Sequence, residues 1–117
     1  MKIIIYIFVG GGLGSVMRYL ISLCFVNHAF PLATLFSNIL SCLLLALTLF
    51  VVQKWSFSDG VRLFFIMGFC GGLSTFSTFS HETLGLIRSG HINYAISNIL
   101  FSVLLCVWIL YFLTKKL

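Results

Sequence analysis

Acidic residues are nearly missing from this chain: Asp59 and Glu82 are the only two among 117 residues. Charged residues of both signs amount to 8%, where an ordinary soluble domain carries about 25%. A soluble domain of this size has too much surface for so few charges to cover. The same scarcity excludes a disordered chain, which is polar and charge-rich. Proline is represented once, by Pro31. What is present instead is hydrophobic residue, 61% of the chain, with 16% aromatic. That balance leaves an integral membrane protein. A bilayer core about 30 Å thick takes roughly 20 apolar residues per helix, so the chain has room for four or five crossings, short connectors and no soluble domain.

Four apolar segments stand out, from about Ile3 to Phe25, Leu32 to Val52, Val61 to Ile87 and Ile92 to Leu113. They predict an all-α fold, one four-helix membrane domain spanning residues 1–117. Runs such as Ser41–Val52 are continuously apolar, without the alternation that a membrane β-strand requires. Pro31 falls just before the second helix, where a missing N–H costs least. Ser58 or Asp59 is placed to cap the third. The first segment is not read as a signal peptide, because it carries Arg18 late in the run and lacks a small-x-small cleavage pattern. The four cysteines, Cys24, Cys42, Cys70 and Cys106, all fall inside the spans. No two have metal-ligand spacing, and they read as small packing residues.

The net charge of +5 is informative through its placement. With four spans, the N-terminus, the middle loop and the C-terminus share one side. Lys2, Lys54, Arg62, Lys115 and Lys116 lie there against Asp59, while the other side holds Arg88, with Arg18 reaching toward it from within the first span. The positive-inside rule therefore predicts a multi-pass protein of the cell (plasma) membrane with both termini in the cytoplasm. The basic residues are scattered over helix ends rather than gathered into a stripe, so no nucleic-acid partner is implied.

Polar groups at bilayer depth are costly and carry the functional signal. They are Arg18 in the first span, Asn38 in the second, a run of hydroxyls from Ser74 to Ser80 followed by His81 and Glu82 in the third, and Ser97, Asn98 and Ser102 in the fourth. Gly10, Gly14, Gly11 and Ser15 form small-xxx-small pairs, the pattern of close helix packing. A phosphate cradle, which needs a glycine at position 15 and a strand before it, is denied by Ser15 and by the transmembrane context. Arg18 either snorkels to the headgroups or sets a fixed positive charge in an aqueous entrance that attracts an anion.

The third span reads GFCGGLSTFSTFSHE from 68 to 82. Gly71 and Gly72 weaken the helix where the hydroxyls crowd, which predicts a break at mid-membrane. Carbonyls freed there can bind a cation if protein buries them. Phe76 and Phe79 share a face. Ring edges carry positive quadrupole and can contact an anion, to which the intervening hydroxyls can donate. Ser77 and His81 are four apart, but Ser80, His81 and Glu82 are consecutive and diverge by about 100° per residue on a helix. No triad forms, and a membrane enzyme is not expected.

At these residues the chain resembles the Fluc fluoride channels, also called CrcB proteins. Three motifs carry the resemblance over essentially the whole chain. A GGxxGAxxRY-like run appears as Gly10-Gly11-Gly12-Leu13-Gly14-Ser15-Val16-Met17-Arg18-Tyr19. A second runs from Pro31 to Asn38. The third, GxxTTFSTFSxE, appears from Gly71 to Glu82 and is the strong one. The resemblance implies a passive fluoride channel that reduces fluoride toxicity, built as an antiparallel, double-barrelled dimer in the lipid bilayer. It assigns Phe76 and Phe79 to fluoride contact, Asn38, Ser77, Thr78 and Glu82 to the pore lining, and Arg18 to the entrance. It assigns the carbonyls of Gly71 and Ser74 to a structural Na⁺ at the dimer centre. Ser74 stands where the family has threonine, Ala33 and Ser41 where it has glycine, and Asn98 where it often has a pore tyrosine. The one-sided charge favours a single orientation, so the chain pairs either with itself or with an oppositely oriented paralogue. A small four-span multidrug or cation exporter is the rival reading, against which stands the lack of a glutamate in the first span. A membrane subunit without transport of its own is another.

Overall fold

The computed structural model describes residues 1–116. Helix α1 spans Lys2–Cys24 and α2 spans Leu32–Lys54. The third segment is composite. It starts with α3, Asp59–Leu63, widens into a π-helical stretch, Phe64–Phe69, and tightens into α4, Cys70–Leu73. Ser74, Thr75 and Phe76 belong to no helix, and α5 follows as Ser77–Arg88. Helix α6 spans Ile92–Thr114. Among the described residues there is no strand, and four segments are long and apolar enough to cross a membrane: Lys2–Cys24, Leu32–Lys54, Asp59–Arg88 and Ile92–Thr114. The molecule is 50 Å along its longest axis, enough to pass a bilayer of about 40–45 Å including headgroups.

Local chemistry sets the ends. Pro31 precedes the first turn of α2. Ser58 caps α3 by accepting from the Val61 amide at 3.4 Å, and Asp59 pairs with Arg62 at 3.3 Å. Lys54 lies in the last turn of α2, where a cation meets the negative end of the helix dipole. The tight turn between α5 and α6 uses Gly90 at φ 85°.

The packing is inverted relative to a soluble domain. Large apolar side chains such as Phe8, Leu104 and Trp108 point outward, while Thr34, Ser37, Ser41, Thr83, Asn98 and Ser102 are buried. A bilayer solvates the outer face, and the polar groups are left to satisfy one another inside. The glycines of α1 face the third segment at backbone distance. A Cβ on Gly10 would strike the Phe64 carbonyl, one on Gly14 the Phe69 carbonyl, and one on Gly68 would come within 2.9 Å of the Ile7 carbonyl. The glycine-rich run is thus a packing face, occupied by protein backbone.

Candidate functional site

The site is built around the three non-helical residues. Asn38 faces them from α2 and holds Thr75 at both ends. Its Oδ1 accepts from the Thr75 amide at 2.8 Å, and its Nδ2 donates to the Thr75 carbonyl at 3.3 Å. On the other side the Thr78 amide donates to Thr75 Oγ1 at 3.1 Å. In a continuous helix the amides of residues 75 and 78 would instead bond the carbonyls of Gly71 and Ser74. Among the described residues neither of those carbonyls accepts a hydrogen bond. Two oxygens are therefore free, and Gly71 is exposed and Ser74 half-buried. Oxygen donors without a protein partner fit a hard cation.

The carbonyls before the interruption are held as well. The Cys70 carbonyl accepts from Ser41 Oγ at 2.7 Å and from the Ser74 amide and hydroxyl at 3.0 and 2.9 Å. The Gly72 carbonyl accepts from Arg18 Nε at 3.1 Å. Arg18 is thereby fixed on the third segment, rather than extended freely toward the surface, and it is half-buried.

Phe76 and Phe79 lie 5.8 Å apart, ring centre to ring centre, tilted by 43°. Their environments differ: Phe76 is 79% exposed and Phe79 only 8%. With Asn38, Ser74 and Thr75 they line a cavity of about 230 Å³ that also takes in Cys42, Ser102, Val103 and Cys106. A second cavity, about 340 Å³, is more polar and includes Arg18, Thr34, Ser37, Thr78 and Glu82. Thr34 Oγ1 donates to Glu82 Oε1 at 2.5 Å. Arg18 and Glu82 share the wall without an ion pair between them among the described residues. Ser37 Oγ is fully buried and has no hydrogen-bond partner among the described residues.

The arrangement is a polar cavity lined in part by Arg18 and a ring-lined cavity, each bordered by part of the interrupted segment. It has donors for an anion. A family model described as CrcB-like protein, Camphor Resistance (CrcB), matches residues 5–113. The chain belongs to the CrcB family. It is 42% identical over 124 aligned positions to the fluoride-specific ion channel FluC of Flavobacterium psychrophilum, covering 100% of both chains. It is 42% identical over 112 positions to FluC of Pyrococcus horikoshii, covering 94% of this chain and 91% of the relative. FluC of Enterobacter sp. is 37% identical over 107 positions, covering 89% and 84%.

In this CrcB-family chain the expected site residues separate into groups. Arg18, Thr78 and Glu82 meet in the polar cavity, and Asn38, Ser74, Phe76 and Phe79 in the ring-lined one. Ser77 and Gly71 line neither; Ser77 Oγ lies 3.5 Å from Thr75 Oγ1. Three residues of α2 enter the site without having been singled out for it: Thr34, Ser37 and Ser41. With Asn38 they recur at helical spacing on an otherwise apolar helix, and that recurrence was the available signal. Asn98 turns out to be fully buried. Its Nδ2 donates to Thr83 Oγ1 at 2.9 Å, Thr83 Oγ1 donates to the Phe79 carbonyl at 2.7 Å, and Ser102 Oγ donates to Asn98 Oδ1 at 3.3 Å. It ties α6 to the backbone of a ring-bearing residue.

Proposed function

We propose that this chain forms a passive, fluoride-specific channel that lets cytoplasmic fluoride leave the cell. The observation that carries the reading is the pair Phe76 and Phe79 beside a backbone stretch that Asn38 holds open. A relative 42% identical along the whole chain bears the name of a fluoride-specific ion channel. Neutral HF enters from acid surroundings and dissociates in the more neutral cytoplasm, where the anion is trapped. A pore returns it down its gradient, helped by the inside-negative potential, worth about 2.3 kcal/mol per charge per 100 mV.

Fluoride is strongly hydrated, so the protein must replace its water with donors. Arg18 supplies fixed positive charge at the polar entrance. The hydroxyls of Ser77 and Thr78 donate along the passage. Asn38 uses one N–H and one oxygen lone pair on Thr75, which leaves its second N–H for the anion. The ring edges of Phe76 and Phe79 carry positive quadrupole into the narrow stretch. Glu82, tethered by Thr34, accepts from hydroxyls and keeps their protons directed along the path.

The working unit in this reading is an antiparallel, double-barrelled dimer, with both termini of this chain in the cytoplasm. The exposed Phe76 ring and the free carbonyls of Gly71 and Ser74 support it, because a partnerless carbonyl facing lipid is costly. Those carbonyls, with their counterparts in a second antiparallel chain, would hold Na⁺ at the interruption in the third segment. When bound, Na⁺ supplies the positive charge that offsets the converging oxygens. The partner is a second copy or an oppositely oriented paralogue. Efflux from liposomes followed with a fluoride electrode tests the reading. Phe76→Ile and Phe79→Ile are each expected to cut the flux while the dimer persists, and undiminished flux in both would overturn it.

A further inference from the structure

The ring-lined cavity contains two residues that the channel reading leaves unused. Cys42 comes from α2 and Cys106 from α6, two helices packed against one another. Both thiols are free and half-buried, and both line the same cavity. Nothing in their sequence spacing announces a pair; the α2–α6 contact makes it.

We propose that Cys42 and Cys106 form a two-thiol site for a soft monovalent cation, Cu⁺ or its redox-inert analogue Ag⁺, in the cavity wall beside Phe76 and Phe79. Thiolate sulfur selects soft cations. Among the described residues no group of three or more His, Cys, Asp or Glu can hold a metal, so a tetrahedral zinc site, which needs four ligands, is not available. Two sulfurs on facing helices suit a cation content with two ligands. Of the oxygens in the same wall, Ser102 Oγ donates to Asn98 and the Asn38 amide holds Thr75, while the Ser74 carbonyl is a hard donor that a soft cation does not favour.

Charge favours the same ion. Binding forms two metal–sulfur bonds, and one thiol releases its proton to the buffer, with no electron transferred. One cation, one thiolate and one thiol sum to zero, which a low-dielectric wall tolerates better than a net charge. A cation fixed there narrows the ring-lined cavity and attracts any fluoride entering it. The consequence for flux rests on the channel reading; the binding does not.

Two measurements separate these claims. The purified chain is treated with silver nitrate in chloride-free buffer, desalted, and its silver content determined. Wild type and Cys24→Ser are expected to retain about one equivalent, with Cys42→Ser and Cys106→Ser losing it through affinity weakened at least on the order of tenfold. Retention by both serine variants overturns the site, and so does absence of binding to wild type. Each variant must first run as a single species in size exclusion, and Cys42→Ala or Cys106→Ala replaces one that does not. In liposomes, silver is expected to reduce fluoride efflux through wild type and spare the Cys42 and Cys106 variants; equal inhibition of all of them would overturn the block. Wild type that shows no efflux before silver is added contradicts the channel reading instead, and the silver stoichiometry still decides the site.

Discussion

The side-chain amide of Asn38 holds the backbone of Thr75 at both its amide and its carbonyl, at 2.8 and 3.3 Å. One side chain thereby replaces the two helical bonds that Thr75 loses at the interruption. In Asn38→Ala both backbone groups lose their partner in a partly buried place, which costs about 2 kcal/mol. The variant should unfold at lower temperature in detergent, and its fluoride flux should fall with it. A melting temperature equal to wild type would mean that Thr75 finds other partners.

Phe76 and Phe79 should separate when stability and transport are measured together. Phe79 is nearly buried and Phe76 is not. Phe79→Ala opens a core cavity and should destabilise the chain by about 3 kcal/mol. Phe76→Ala should leave the stability of the single chain nearly unchanged and still slow efflux, on the order of tenfold for each ~1.4 kcal/mol added to the barrier. Chemical denaturation in detergent alongside electrode traces gives both readouts.

Arg18 combines a fixed charge with a hydrogen bond to the Gly72 carbonyl at 3.1 Å. Arg18→Gln removes the charge, so efflux should slow most at low ionic strength, where screening is weakest. Its rate should also respond less to added salt than wild type. Arg18→Lys should recover part of the salt dependence. A salt response in Arg18→Gln identical to wild type would show that the charge does not steer the anion.

Two glycines on the same packed region should behave oppositely. A Cβ at Gly14 would strike the Phe69 carbonyl and lie 2.8 Å from the Leu73 amide, whereas one at Gly71 meets nothing within 4 Å among the described residues. Gly14→Ala should cost about 1–3 kcal/mol by overpacking and reduce the yield of folded protein. Gly71→Ala should leave the chain folded but weaken its pairing, because the proposed partner surface lies there. Size-exclusion profiles in mild detergent distinguish the two.

Much of this was legible in the residues themselves. Composition alone excluded a soluble fold, and the four spans came out within a few residues of their ends. The third began and ended slightly beyond expectation because Ser58 caps it and Gly90 stops it. Arg18 and Asn38 stood out because each is rare for its depth, and each bonds the backbone of the third segment. Partnerships were not legible. Asn38 looked like a donor to the ion, and its main bonds go to Thr75. Thr34 and Ser37 sat in an apolar run that masked them, and the π-helical widening at Phe64–Phe69 has no local sequence mark. Each depends on which helix faces which, a property of the packed chain.

The central claim is passive, selective fluoride transport, and efflux from liposomes tests it most directly. The chain is reconstituted alone and with an oppositely oriented paralogue, and vesicles are loaded with potassium fluoride or potassium chloride. Valinomycin then supplies the compensating potassium current. Fluoride should leave in at least one of the two preparations once valinomycin is present, with chloride retained. Retention of fluoride in both, or equal loss of chloride, would contradict the account.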